Sequence, residues 1–110
     1  MVNFVGIRER ARDAKRKSDL RQMQAALELY RTDNGSYPVG SLNCGSPLEV
    51  GSRKYMTKIP IDPLTISCYT YASTDGVTYT YYACLENTND SEKDGTSAAG
   101  CAASYTVTNP

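Results

Sequence analysis

Along residues 4–34 the apolar positions fall on a helical period. Leu20, Met23, Leu27 and Tyr30, with Ala26 beside them, recur every three or four residues and lay one apolar stripe along an α-helix. Gln22, Gln24, Glu28 and Arg31 fall off the stripe and are expected in solvent. No proline interrupts the stretch. Asn34-Gly35 stops it, because glycine takes the left-handed conformation at no steric cost, and Pro38 blocks a restart. Upstream the stripe thins to Ile7, Ala11 and Ala14 and becomes apolar again only at Phe4 to Ile7. Arg8, Arg10, Arg12, Lys15, Arg16 and Lys17 crowd into ten residues. Asp13 and Lys17 make a favourable i,i+4 pair, whereas Arg8, Arg12 and Arg16 repel along one face. The pattern predicts one long helix whose C-terminal half packs a small domain and whose charged N-terminal half projects from it.

After the helix the period changes. Residues 37–65 read as loop. Ser46-Pro47-Leu48-Glu49 has the form of a capping box with proline at the first helical position, and Gly51 limits it to about one turn. Tyr55 to Pro63 alternates apolar and polar residues and is expected to cross the sheet as an extended segment pinned by Pro60 and Pro63. Residues 66–72 and 77–85 are rich in Tyr, Thr, Val and Ile and predict two strands joined at Ser73-Thr74-Asp75-Gly76. Val77, Tyr79, Tyr81 and Ala83 share one face of the second strand, assigned to the helix; Thr78, Thr80, Tyr82 and Cys84 face outward. A third strand, 102–108, ends the chain. Between the second and third lies Glu86 to Gly100, an aperiodic surface loop. The expected fold class is α+β, a long N-terminal α-helix on an antiparallel sheet of about three strands.

One domain is the expectation for 110 residues. Formal net charge is zero but unevenly spread: residues 1–31 hold eight of the twelve basic and four of the twelve acidic residues. The result is a basic stalk and an acidic head. Nucleic acid is one conceivable partner for such a stalk, but no nucleic-acid motif accompanies the charge, and a basic helix face is ordinarily solvated. No stretch reaches the roughly 20 apolar residues of a membrane span, and no secretory signal is visible.

Four cysteines, all after the helix, alongside nine tyrosines and no histidine or tryptophan, suit an oxidising compartment. An exported head with no visible export signal suggests a targeting segment upstream of Met1. Cys44, Cys68, Cys84 and Cys101 allow three pairings. An even-numbered hairpin turn would put Cys68 and Cys84 on opposite faces, which disfavours that bond. Cys44–Cys68 with Cys84–Cys101 is the simpler of the remaining two, tying the long loop to the first strand and closing the acidic loop at its base. A zinc site is the alternative, but there is no CxxC pair and no histidine.

Arg16 to Leu20, then Ala25-Ala26-Leu27-Glu28-Leu29-Tyr30, then Asp33-Asn34-Gly35-Ser36-Tyr37-Pro38, resemble the C-terminal half of the long helix of type IV pilins and type II secretion pseudopilins. Tyr55 to Pro63 resembles the next landmark, an aromatic residue leading to Pro-x-Asp-Pro, and tyrosine-rich strands follow. The resemblance covers residues 4–85. It implies the pilin fold and an apolar helical half ahead of Phe4, which holds the subunit in the membrane before assembly and packs the filament core afterwards. It implies other pilin subunits and a membrane assembly machinery as partners, N-terminal methylation, and an extracellular filament at the cell surface. Arg8, Arg10, Arg12, Lys15, Arg16 and Lys17 would then lie between subunits, where opposite charges on a neighbour's acidic head set the stagger; a solvated face is the alternative.

Two departures bear on function. Major pseudopilins usually lack cysteines and bind calcium in a late loop, whereas here Cys84 and Cys101 bracket that region, as in many pilins. The enclosed loop nonetheless carries Asn87, Asn89, Asp90, Glu92 and Asp94, oxygen donors of the kind calcium takes, without EF-hand spacing. Calcium is therefore the one cofactor considered, and no catalytic residues are assigned: there is no histidine, nucleophile elbow, phosphate loop or carboxylate pair placed in a cleft. The first reading is a structural subunit of a type IV pilus, serving adhesion, motility or DNA uptake by polymerisation. The second is a pseudopilin of a type II secretion system. The third is a secreted adhesin with Tyr69, Tyr71 and Tyr82 as an outward contact patch.

Overall fold

A computed structural model of the chain describes residues 4–110, with side chains from residue 6 onward. The expected apolar run at Phe4 to Ile7 therefore lies partly outside the described side chains. One helix, α1 (Phe4–Asn34), runs most of the length of the molecule. Its 31 residues make it about 46 Å long, against a longest extent of 52 Å. It stops where the sequence places the stop: the Gly35 amide donates to the Arg31 carbonyl at 2.7 Å, and Gly35 sits at φ 83°.

Two antiparallel sheets accompany the helix. β1 (Leu48–Val50) and β2 (Arg53–Met56) form a hairpin; β3 (Thr70–Ala72), β4 (Thr80–Cys84) and β5 (Ser104–Thr108) form a three-stranded sheet with β4 in the middle. This is the α+β architecture of a pilin. The hairpin replaces the helical turn expected from Ser46-Pro47-Leu48-Glu49. Val50 pairs with Arg53 across the two residues Gly51-Ser52, and Gly51 stands at φ 60°, a turn conformation that glycine adopts freely. The three later strands are shorter than their sequence runs: β3 begins only at Thr70 and β5 at Ser104, and β4 begins late because its connection from β3 is wider than a tight turn. In it the Val77 and Thr78 amides donate to Asp75 Oδ1 at 2.9 and 3.1 Å. Val77 is left exposed and not on the helix-facing side.

The core is the predicted helix stripe against tyrosines. Leu20, Met23, Ala26 and Leu27 are buried together with Tyr37, Leu48, Ile59, Tyr69, Tyr71, Tyr79, Tyr81, Ala83 and Val107. The rings meet edge-on: Tyr37 and Tyr79 at 4.7 Å between centroids, Tyr71 and Tyr81 at 5.7 Å. Tyr71 pairs with Tyr81 in the β3–β4 register, so both point to the helix. Tyr69 and Tyr71 are therefore core residues, 7% and 6% exposed, and no outward patch with Tyr82 exists.

Cys44 is bonded to Cys68 and Cys84 to Cys101, with Cα separations of 5.4 and 5.1 Å. Cys68 and Cys84 are not kept apart by lying on opposite faces of a hairpin. Thr70 faces Tyr82 and Ala72 faces Thr80, a register that, extended, sets Cys68 opposite Cys84 on one face. They stay apart because β3 begins only at Thr70; Cys68 instead bridges to Ile61.

Candidate functional site

Below Leu20 the buried stripe of α1 does not end but changes chemistry. Steps of three and four residues lead down from Leu20 to Arg16 and Asp13. Both are buried, Arg16 at 2% and Asp13 at 1% exposure. Ala11 and Ala14, the expected continuation, face solvent. The lower half of the helix thus packs through ions where the upper half packs through hydrocarbon.

Arg16 sits at the centre of this cluster. Its Nε and Nη2 donate to Asp62 Oδ2 and Oδ1 at 2.8 and 3.0 Å, a bidentate pair. Its Nη1 donates to Asp13 Oδ1 and Glu86 Oε2, both at 2.7 Å. Arg12 grips Glu86 from the next turn, with two bonds of 2.6 Å. Asp13 is engaged on its other side, accepting from the Glu86 and Asn87 amides at 2.9 Å each. Asp62 does the same for its own turn, accepting from the Leu64 and Thr65 amides at 3.3 Å. The helix, the Pro60-Ile61-Asp62-Pro63 segment and the start of the late loop are locked together at one guanidinium.

The electrostatics agree with that geometry. Hydrogen bonds from Arg12, joined by one from Arg16, pull the Glu86 carboxyl down to about 2 against the opposing effect of burial. Burial alone would raise Asp62, but the Arg16 and backbone hydrogen bonds outweigh it and hold it below the ordinary carboxylate range. Burial likewise disfavours charge on Arg16, and its three carboxylates more than restore it. One turn up, Asp19 accepts from Lys15 at 3.0 Å and from the Tyr69 hydroxyl at 2.9 Å. Tyr69 is thereby pushed well above an ordinary phenol, by burial first and by Asp19 second.

The six basic residues expected between subunits divide into two groups. Arg16 is enclosed, and Arg12, Lys15 and Lys17 have partners within the chain. The opposing pair read for Asp13 with Lys17 is absent among the described residues: Asp13 pairs with Arg16, and Glu86 relieves the repulsion between Arg12 and Arg16. Arg8 and Arg10 are exposed, beside Ile7 at 51% exposure, and make no ion pair among the described residues. Asp13 is the partner of Arg16 where the sequence pattern pairs it with Lys17, and Asp19, Asp62 and Glu86 are partners that the sequence pattern does not single out. The three-and-four spacing continued through polar positions would have found Asp13 and Arg16, and the Pro-x-Asp-Pro landmark already contained Asp62.

The late loop carries the oxygen donors considered for calcium. Lys17 Nζ donates to Asp90 Oδ2 and Oδ1 at 2.9 and 3.2 Å and to Glu92 Oε1 at 2.9 Å. Asp94 accepts from the Ser104 hydroxyl at 2.6 Å and from the Thr106 hydroxyl and amide at 2.5 and 3.1 Å. Asn87 Oδ1 accepts from the Asn89 amide at 3.1 Å. Calcium takes six to eight oxygens around one point. Here an ammonium stands between Asp90 and Glu92, and Asp94 is turned onto β5. Among the described residues no group of three or more acidic, histidine or cysteine side chains is placed to hold a metal ion, so the donor set does not fit calcium.

Among the described residues no helix is long and apolar enough to cross a membrane. The family model described as type II secretion system protein G matches residues 3–100. Neither a curated protein nor a solved structure matches the chain significantly.

Proposed function

The chain belongs to the type II secretion system protein G family, and from that premise we propose that it is a pseudopilin, a structural subunit that polymerises into the pseudopilus and works by assembly, without catalysis. The family match over residues 3–100 carries this reading and favours it over the type IV pilus reading. The fold is consistent with it: the first turns of α1 stand clear of the core and present Ile7, Arg8 and Arg10 to solvent. Of the six basic residues on the lower half of α1, Arg8 and Arg10 make no ion pair among the described residues and are free to meet the acidic head of a neighbouring copy, whereas Arg12, Lys15, Arg16 and Lys17 are engaged within their own chain. The partners are then further subunits and the secretion machinery. The disulfide that brackets the late loop is the one observation that favours the type IV pilus alternative.

Deletion of the gene in its source cells tests the reading. A pseudopilin deletion traps folded secreted proteins within the cell envelope and leaves surface pili intact. The wild-type chain restores release, and the double charge reversal Arg8→Glu, Arg10→Glu does not, although that protein keeps its unfolding temperature. Loss of surface pili with secretion unimpaired would assign the chain to a pilus.

A further inference from the structure

Residues 86–94 hold four carboxylates, Glu86, Asp90, Glu92 and Asp94, and one lysine. Lys93 does not neutralise them, since its ammonium donates to the Thr88 carbonyl at 2.8 Å. A loop so charged needs a cation, and in this protein the helix supplies it. Glu86 is taken by Arg12 and Arg16. Asp90 and Glu92 are taken by Lys17, whose three bonds match the three donors of an ammonium. The Lys17 side chain is 12% exposed and that of Asp90 11%, so this pair is sheltered where a surface ion pair would be open to water. Arg21 adds a longer contact to Glu92 at 3.9 Å. Two further fastenings complete the loop: Asp94 is latched onto Ser104 and Thr106 of β5, and Cys84–Cys101 joins its ends.

We propose that Lys17 is the resident cation of this loop: with the Asp94 latch and the Cys84–Cys101 bond, its ammonium holds residues 87–94 against α1, and the loop folds without calcium. The related expectation of a calcium-bound late loop is thereby replaced by a cation fixed covalently to the helix. A divalent ion could enter only by displacing Lys17 from both carboxylates, and would then still lack Asp94. The inference rests on the loop and helix alone and is independent of which filament the chain builds.

The test uses the oxidised chain, in millimolar calcium chloride and in chelator. Thermal unfolding and amide hydrogen exchange of residues 87–94 are compared, for wild type and Lys17→Met. Wild type is expected to give the same midpoint and the same loop exchange in both buffers, and no saturable heat on calcium titration. Lys17→Met is expected to speed exchange of the loop amides by about tenfold or more, the scale of a lost charged hydrogen bond, while protection at Leu20 to Leu27 persists. If Lys17→Met fails to fold, Asp90→Asn removes the same pair from the loop side and is expected to speed the same amides. Saturable calcium binding that raises the wild-type midpoint would overturn the proposal. So would unchanged loop exchange in the folded variant.

Discussion

Arg16 is where three separate segments meet, and its removal should be felt more than that of any surface charge. Buried ion pairs are weak evidence of net stabilisation, but breaking one by deleting a single partner is costly, because the other charges stay buried without compensation. Arg16→Met would leave Asp13, 1% exposed, and Asp62, 7% exposed, without their cation. The expected loss is about 3–5 kcal/mol in a urea titration. Arg16→Lys should recover only part of it, since an ammonium cannot reproduce the fork that spans Asp62. A variant as stable as wild type would mean that the guanidinium is not bound as described. The same cluster sets a pH dependence. A carboxyl whose folded pKa is depressed contributes stability that is present above its unfolded value and is lost as pH falls through the folded one. For Glu86 those limits are 4.5 and about 2, and Asp62 is depressed as well. The unfolding midpoint should therefore drop across that acid window, and drop less steeply in Glu86→Gln. Equal slopes would uncouple Glu86 from folding. At this scale the sequence was misleading for a physical reason. Charged residues at core spacing read as a solvated face, because nothing local announces that carboxylates distant in the chain will come to meet them.

At the scale of elements, the bounds of α1 and its stripe from Leu20 to Leu27 were legible, since they depend on neighbours along the chain; the stripe below Leu20 was not, because there Asp13 and Arg16 are buried in place of Ala11 and Ala14. Leu27 is fully buried at the centre of the helix–sheet contact, and Leu27→Ala should cost about 2–5 kcal/mol through lost burial and the cavity left behind. An unchanged thermal midpoint would contradict the packing. The strands were legible as runs but not as pairs. The face of Tyr79, Tyr81 and Ala83 follows from alternation, whereas that of Tyr69 and Tyr71 depends on the register across a wide connection, which composition does not encode. The β1–β2 hairpin was missed because Ser46-Pro47-Leu48-Glu49 carries a helix-start signal, while Gly51-Ser52 carries the turn that prevails once β2 packs beside Tyr30 of the helix, the Tyr30 and Tyr55 rings lying 5.3 Å apart.

Over the whole molecule, the division into a basic stalk and an acidic head has two consequences that charge counting alone merges. Most of the opposite charges meet inside one chain, where Arg12, Arg16 and Lys17 fasten the Asp62 segment and the late loop to the helix. What projects is smaller and more specific: Ile7, Arg8 and Arg10 on turns that no sheet covers. A helix about 46 Å long that buries chiefly its C-terminal two-thirds suits a subunit whose remaining surface is covered by copies of itself. The measurement that bears on this most directly is site-specific photo-cross-linking in the source cells, with the photoreactive residue at position 8 and the products read by mass spectrometry. A polymerising subunit gives a ladder of multiples of this chain, with position 8 joined to the head of a second copy. Monomer alone, or adducts only to unrelated proteins, would contradict assembly through the projecting turns.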